Sequence, residues 1–305
     1  WLIAQKIKSE KLTDTYQSYI QDEQQYIRWY DREDHEHFDV CADDHCQRYQ
    51  GISKAYMPFV RQAIEATRGE VLVYDGEICD ARFSKCCGGV TEHFENTWEP
   101  VKHPYLTKVV DSDTQSSTPD LSQEENARKW ILSIPDVFCN TRDKAILSNV
   151  LNDYDQETQD FFRWQVSYTP PELSALITSR IGIDFGDIQS IEPVERGVSG
   201  RIIRLRIQGS KQDMIIGKEL VIRKAFSQSH LYSSAFIVET AKDSSGAITR
   251  FTLKGAGWGH GVGLCQIGAA VMSAKGYDYK QILSHYFPGT QLQTIENGEL
   301  KMKKV

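Results

Sequence analysis

The chain has 305 residues, a formal net charge of -7 and a hydrophobic fraction of 40%. That length suffices for one large domain or two small ones, and the apolar fraction is ordinary for a globular protein with a buried core. No apolar run approaches the roughly 20 residues of a membrane-spanning helix. The acidic balance argues against a nucleic acid or an anionic membrane as partner, because proteins that bind those usually carry a basic face.

The cysteines do not form a disulfide scaffold, because their number is odd and they are thinly spread. They are Cys41, Cys46, Cys79, Cys86, Cys87, Cys139 and Cys265. At least one is therefore expected to be unpaired or bound to a metal.

The first half of the chain begins with WLIAQKIKSEKL, which has the spacing of an amphipathic helix without an N-terminal cap, so we expect a truncated or processed start. The charged stretch 22–40 predicts a solvated loop. Apolar residues at helical spacing from Tyr56 to Thr67 then predict a helix that Gly69 ends. Two β-rich runs flank Asp75-Gly76, which is typical of a tight hairpin.

The second half contains further helices and strands after a polar segment, 112–163, which carries no clear motif and is predicted to be an insertion or connection. The remaining predicted elements are a helix from Pro171 to about Arg180, strands on both sides of Ser199-Gly200 and at 233–240, and helices at 264–274 and 278–287. This pattern predicts an α+β fold with mostly antiparallel strands.

The stretch HEHFDVCADDHC places three histidines and two cysteines within twelve residues. Thiolate and imidazole ligands at short spacing suit tetrahedral zinc. Binding of Zn²⁺ through His37, Cys41 and Cys46, with His35 as the alternative to His37, leaves a fourth coordination position open. A polar loop, or a disulfide between Cys41 and Cys46, explains the same residues without a metal.

A second stretch, FSKCCGGVTEH, has two glycines directly after two cysteines. Gly88 and Gly89 predict a tight turn where another part of the backbone comes close. The alternative is a hairpin end with two buried thiols.

A third stretch, KGAGWGHGVGLCQIGAA, has glycines at every second position from Gly255 to Gly263. It fits neither a phosphate-binding loop nor a dinucleotide-binding loop. Backbone without Cβ atoms can lie close to a ligand while Trp258 stacks on a sugar ring and His260 exchanges a proton near neutral pH. The alternative is a structural turn with one core histidine.

Together and in this order, these stretches resemble the SpoIID/LytB family of peptidoglycan-active proteins from Trp1 to about Leu292. The most specific match is GWGHGVGLCQIGAAVMSAKGYDYKQILSHYFPGTQL, and HCQRYQGI, PYLTKVVDS, SGRIIRLRI and LYSSAFIV resemble intervening blocks of the family. The resemblance implies one domain over residues 1–295 with helices around a substrate cleft, followed by a tail at 296–305.

The enzymes of this family are lytic transglycosylases, which cut the β-1,4 bond between N-acetylmuramic acid and N-acetylglucosamine in glycan strands. One glutamate protonates the leaving oxygen and then activates the muramic C6 hydroxyl, which gives a 1,6-anhydro product. The resemblance implies that this glutamate lies roughly ten residues before Trp1. Glu10, Glu36 and Glu92 are not assigned its role.

The resemblance also implies a set of substrate contacts, a supporting role for His260 in the cleft, and a zinc site near it. The substrate contacts are Ser84, Gly88, Gly89, Thr91, Ser233, Ser234, Trp258, Gly259, Gly261 and Gln266. The sequence departs from many relatives at 84–87, where SKCC replaces a histidine and small hydroxyl residues.

Two other functions fit the same residues. A non-catalytic module could bind peptidoglycan and enhance a cell-wall amidase, and a zinc hydrolase could act directly through the metal. Glutamate at the upstream position favours the transglycosylase. Because peptidoglycan lies outside the cytoplasmic membrane, an extracytoplasmic location is expected, with an export signal or anchor before the upstream segment that carries this glutamate.

Overall fold

A computed structural model describes residues 18–29, 37, 41, 58–113, 118–151, 160–296 and 299–301. The predicted opening helix lies outside these residues.

The strands are β1 (Tyr19–Gln21), β2 (Gln25–Arg28), β3 (Glu70–Tyr74), β4 (Glu77–Ile78), β5 (Phe83–Ser84), β6 (Arg163–Tyr168), β7 (Ile188–Arg196), β8 (Ile202–Gly209), β9 (Asp213–Gly217), β10 (Phe236–Lys242), β11 (Ile248–Ala256), β12 (Leu264–Cys265), β13 (Gln291–Glu296) and β14 (Glu299–Lys301). The helices are α1 (Pro58–Ala66), α2 (Glu124–Leu132), α3 (Lys144–Val150), α4 (Pro170–Ile181), α5 (Glu219–Ala225), α6 (Gln266–Ala274) and α7 (Tyr279–Tyr286).

The chain divides into two compact units, and the first comprises residues 1–15, 31–81 and 289–305. Its described part contains α1 and an antiparallel sheet in the order β14-β13-β3-β4. The predicted hairpin is confirmed, because Asp75 and Gly76 both have positive φ (50° and 80°) between β3 and β4. The predicted helix is confirmed as α1, and Gly69 follows it at φ 73°.

The second unit comprises residues 16–30 and 82–288. It contains a five-stranded sheet (β1-β2-β9-β8-β7), a three-stranded sheet (β10-β11-β6) and the short parallel pair β12-β5. Helix α4 begins with a capping box between Thr169 and Glu172 and ends at Gly182, which has φ 74°. Its buried face, with Leu173 and Ile177, joins one apolar core with residues of β6, β7, β8, β10 and β11.

The structure differs from the sequence expectation at residues 25–28, which were predicted to lie in a solvated loop. They form β2, which pairs in parallel with β9 and buries Ile27. A strand of four residues among charged neighbours has no recognisable sequence pattern of its own. Its position depends on the partner strand β9, which lies far along the chain.

The polar segment 112–163 contains two helices, α2 and α3, in its described part. It also contributes buried residues, among them Leu121, Ile131 and Phe138. The predicted single domain over 1–295 and its tail stay predictions.

The predicted α+β class with mostly antiparallel pairing is confirmed. Only β2 with β9 and β12 with β5 pair in parallel among the strands that the structure describes. None of the helices within the described ranges has the length and apolar character needed to cross a bilayer.

Candidate functional site

Residues 255–263, called here the glycine loop, lie in the second unit and connect β11 to β12. The loop runs beside residues 83–92. An antiparallel bridge joins Cys86 to Trp258, a parallel bridge joins Glu92 to Val262, and β12 pairs with β5. The two stretches that the sequence singled out separately are therefore one local structure.

The glycines of this loop are required by the protein's own packing. Gly261 and Gly263 have φ of 76° and 72°, a conformation that L side chains rarely adopt. A Cβ at Gly261 would lie 2.4 Å from the Arg201 guanidinium, and one at Gly263 would lie 2.1 Å from the Arg82 carbonyl oxygen. At these two positions the absent side chains leave room for neighbouring protein atoms, which differs from our expectation of backbone open to a ligand.

Arg201 is fully buried, and its guanidinium hydrogen-bonds the glycine loop. Its Nη2 donates to the Gly259 carbonyl oxygen at 3.1 Å, and its Nη1 donates to the Cys87 carbonyl oxygen at 3.1 Å. Nη1 also donates to Ser199 Oγ at 3.0 Å. One guanidinium thus connects the glycine loop to the turn at Cys87 and to the β7–β8 turn.

Glu92 completes this network as a buried carboxylate. Ser199 donates to Oε2 through its backbone N at 3.1 Å and through Oγ at 2.5 Å. Oε1 accepts from the backbone N of His93, from the backbone N of Val198 and from Asn96 Nδ2. With five donors and 1% exposure, Glu92 is a structural carboxylate that joins the β7–β8 turn to the loop.

Part of the loop and its surroundings reaches solvent. Trp258, Gly259, His260, Gln266 and Lys85 are half-buried, and we call these five residues the accessible rim. Gln266 is the first residue of α6. The rim brings together an indole, an imidazole, an amide and an ammonium group.

Trp258 is held by aromatic neighbours. Its ring stacks on Phe161 with centroids 4.9 Å apart, and Tyr232 packs edge-on at 4.8 Å. The Lys85 Nζ lies 4.1 Å from the centroid of the indole ring. A sugar that stacks on the face covered by Lys85 must therefore displace this flexible side chain.

The imidazole of His260 is neutral. Burial lowers its pKa well below the ordinary value, and the positive charges of Arg82, Arg201 and Arg223 lower it further. Its Nδ1 accepts a hydrogen bond from the backbone N of Val262 at 3.0 Å, so Nε2 carries the proton. A hydrogen bond with the Phe83 backbone opposes this lowering of the pKa and engages the ring within the protein. His260 is therefore a poor source of a full proton near neutral pH.

The other predicted substrate contacts are buried: Ser84, Gly88, Gly89, Thr91, Ser233, Ser234 and Gly261. Thr91 Oγ1 donates to the Thr107 carbonyl oxygen, and Ser233 Oγ donates to that of Ala256, each at 2.7 Å. The hydroxyls of Ser84 and Ser234 have no hydrogen-bond partner among the described residues. The structure thus brings all the predicted contacts into one region but exposes only Trp258, Gly259, His260 and Gln266.

The described residues include two of the four predicted zinc ligands. His37 and Cys41 are described, whereas His35 and Cys46 lie outside the described residues. Zinc binding by these four residues stays a prediction.

A different group with metal-ligand geometry lies in the second unit. The ligand atoms of Cys87, Asp111, Cys139 and Cys265, called here the cysteine cluster, all lie within 4.8 Å of one another, and all four residues are buried. Burial raises the pKa of Asp111 to about 8, and the nearby Cys265 adds to the rise. Burial alone raises a thiol pKa, but hydrogen bonds from Cys139, Cys86 and Cys87 outweigh it at Cys265 and lower its pKa.

A cavity of about 800 Å³ also lies in the second unit. Its walls include Val110, Phe138 and His285, which are sequence neighbours of Asp111, Cys139 and Tyr286. None of the predicted substrate contacts lines it.

Sequence reasoning missed Arg201 and considered Glu92 only as an acid. Both are single charged residues without a surrounding motif, and the partners that define their role lie far away in the chain. The available signal was composition alone: a charged residue inside an apolar strand pattern, as in SGRIIRLRI, is buried only when it is paired.

Two protein families and two proteins of known sequence are similar to parts of this chain. Residues 92–263 match a family described as a domain of unknown function, DUF8618, and residues 12–74 match the stage II sporulation protein family SpoIID. The amidase enhancer of Bacillus subtilis is 28% identical over 243 residues, which are 76% of this chain and 32% of that protein. An uncharacterised protein of Brachyspira hyodysenteriae is 29% identical over 255 residues, 84% of this chain and 54% of that protein.

The chain spans about a third of the length of the first relative and about half of the second. Of the blocks that suggested the resemblance, HCQRYQGI lies within the SpoIID match, whereas most of the block at 257–292 lies beyond residue 263, where the DUF8618 match ends. The chain contains the DUF8618 domain and belongs to the SpoIID/LytB family.

Proposed function

We propose that this chain binds the glycan strands of peptidoglycan along the accessible rim. The observation that carries the proposal is a partly exposed indole and imidazole on the glycine loop, which buried Arg201 and Glu92 hold in place, with the Gln266 amide at the start of α6 beside it. Aromatic faces suit sugar rings, and amide and imidazole groups can hydrogen-bond sugar hydroxyls. Membership of the SpoIID/LytB family and similarity to an amidase enhancer support a function related to the bacterial cell wall.

We further propose that the full-length protein cleaves the strand as a lytic transglycosylase, with 1,6-anhydro-muramic acid as the product. The general acid would then be the glutamate that the family resemblance implies upstream of Trp1. Glu92 is not assigned this role, because five donors engage its carboxylate. His260 would contact the sugar as a neutral ring, while the glutamate moves the proton.

Two further features belong to this proposal. His37 or His35, with Cys41 and Cys46, would hold Zn²⁺, because thiolate and imidazole donors suit that ion. The ion would either fix the conformation of this loop or polarise a water bound at its open coordination position. An extracytoplasmic location follows from the proposed substrate.

The alternative is a non-catalytic module that binds the same strands and enhances a cell-wall amidase. The specific observation in its favour is that the carboxylate in contact with the glycine loop, Glu92, is occupied by structural hydrogen bonds. Similarity to an amidase enhancer over 76% of the chain supports the same role.

The test is mass spectrometry of peptide-free glycan strands after incubation with the chain extended upstream of Trp1. A matched variant carries glutamine at the upstream glutamate. Products that end in 1,6-anhydro-muramic acid, absent with the glutamine variant, support the transglycosylase. Strands that are retained but uncut support the binding module, and loss of cleavage on chelation with the glutamate dispensable would support a zinc hydrolase.

A further inference from the structure

We propose that the cysteine cluster binds one Zn²⁺ ion through the sulfurs of Cys87, Cys139 and Cys265 and one carboxylate oxygen of Asp111. This site differs in every ligand from the one predicted at residues 35–46. It does not depend on the proposed function.

The distances fit tetrahedral zinc better than a disulfide. Zn–S bonds of about 2.3 Å at tetrahedral angles separate neighbouring sulfurs by about 3.8 Å. The sulfurs of Cys87 and Cys139 are 3.7 Å apart, and all four ligand atoms lie within 4.8 Å of one another. A disulfide requires about 2.05 Å between its sulfurs.

The surrounding groups support thiolates and orient the carboxylate. The backbone N of Gly89 donates to Cys87 Sγ at 3.4 Å, and the backbone N of Cys87 donates to Cys265 Sγ at 3.2 Å. Backbone N–H groups that point at sulfur stabilise its negative charge. The cluster is therefore built with the outer hydrogen bonds that metal sites usually have.

Asp111 is positioned from two sides. The backbone N of Cys139 donates to its Oδ2 at 2.8 Å, and the hydroxyl of Tyr286 donates to its Oδ1. A Cβ at Gly268 would lie 2.4 Å from Oδ1, so this helix position leaves room for the carboxylate. Each carboxylate oxygen keeps a second lone pair with which it can bind a metal.

The charges that these ligands carry when deprotonated also suit a cation. Four acidic groups, each no more than 2% exposed, stand within a few ångströms, and they must stay protonated unless a positive charge joins them. Zn²⁺ displaces the three thiol protons and the Asp111 carboxyl proton to solvent and leaves a net charge of -2 on the site. Arg163, which interacts electrostatically with Cys139 and Cys87, offsets part of this charge.

The donor set selects zinc. Three soft sulfurs disfavour Mg²⁺ and Ca²⁺, and four protein ligands close the coordination sphere as in structural zinc sites. The ligands come from four places in the sequence: Cys87 in the turn before Gly88, Asp111 just before the 112–163 segment, Cys139 within that segment, and Cys265 at the start of α6. The ion thus fastens the 112–163 segment to the ends of the glycine loop.

The experiment measures zinc per chain in the purified protein after dialysis. The background is the double variant Cys41→Ser/Cys46→Ser, which removes ligands of the other predicted site. We expect one zinc ion per chain there, lost on adding Cys139→Ser or Asp111→Asn. Cys79→Ser is the matched control, because Cys79 is a buried cysteine outside the ligand group, and it should keep the ion. Cys86→Ser tests a fourth sulfur in place of the oxygen ligand, because the Cys86 thiol contacts Cys139 and Cys265.

A metal-free background protein would overturn the proposal, as would a disulfide between Cys87 and Cys139 or iron in place of zinc. Loss of zinc with Cys86→Ser but not with Asp111→Asn would overturn the oxygen ligand. If the double variant does not fold, anomalous diffraction at the zinc edge from the unaltered chain replaces it. A peak among the three sulfurs supports the site, and no peak there contradicts it.

Discussion

Gly261 has no side chain, and the buried guanidinium of Arg201 occupies the space where a Cβ would lie. Ala at this position would combine an unfavourable φ with a Cβ that lies 2.4 Å from the Arg201 guanidinium. We expect Gly261→Ala to lower the free energy of unfolding by about 3 kcal/mol. Chemical denaturation followed by tryptophan fluorescence measures this change.

Gly246 is the matched control for that substitution. It has a similar φ of 88°, but nothing lies within 4 Å of its Cβ position. Gly246→Ala should therefore cost only the backbone strain, about 1 kcal/mol. Equal losses for the two variants would mean that contact with Arg201 is unimportant.

His260 should stay neutral across the physiological range, because burial and three arginines lower its pKa. The unfolded chain takes up a proton at this residue near pH 6.5, whereas the folded chain does not. The free energy of unfolding should therefore fall as the pH drops below about 6.5.

The direct measurement is an NMR titration of the His260 ring protons. We expect no titration step between about pH 5 and 8 in the folded chain, and an ordinary step in denaturant. A step near pH 6.5 in the folded protein would show that the ring is hydrated and able to act as a proton donor.

Glu92 connects the β7–β8 turn to the glycine loop, since its carboxylate accepts hydrogen bonds from that turn and its backbone N donates to the Gly261 carbonyl oxygen. Glu92→Gln replaces one acceptor oxygen by a donor that faces other donors. We expect a loss of about 2 kcal/mol or more in the free energy of unfolding. The control Glu125→Gln removes an exposed ion pair with Lys129 and should change nothing measurable.

The elements with local signals were predictable from the sequence. Asp75-Gly76 forms its hairpin because both residues can adopt positive φ, and α4 has its own capping box and glycine stop. Strand β2 was missed because its pairing with β9 joins residues 190 positions apart, such as Gln25 and Ile215. Such a short strand is specified by its partner and not by its own composition.

The candidate site was predictable to the same extent. The glycine loop was located from its spacing, and its contact with residues 83–92 follows from the structure alone. The burial of Ser233 and Ser234 and the role of Arg201 depend on contacts across the unit, which no local pattern encodes.

The 112–163 segment has a role in the second unit that its polar composition concealed. Cys139 lies beside Cys87, and Phe138 donates its backbone N to the Asp111 carbonyl oxygen. If zinc holds these residues, metal removal should loosen the segment. We expect limited proteolysis to cut within 118–151 faster after chelation, while the rate of cleavage within the β7–β8 hairpin stays unchanged.

The same proteolysis on Cys41→Ser/Cys46→Ser separates the two predicted zinc sites. Faster cleavage after chelation should persist in that variant. Cleavage that no longer responds to chelator would assign the effect to residues 35–46.

Glycan binding by the rim is tested most directly by the affinity of peptide-free glycan strands for the chain and for Trp258→Ala, with folding checked by circular dichroism. Phe59→Ala, which removes an exposed aromatic ring from α1 in the first unit, is the control. We expect Trp258→Ala to weaken binding about tenfold or more and Phe59→Ala to leave it unchanged. Equal affinity for the unaltered chain and a folded Trp258→Ala protein would contradict glycan binding at the glycine loop.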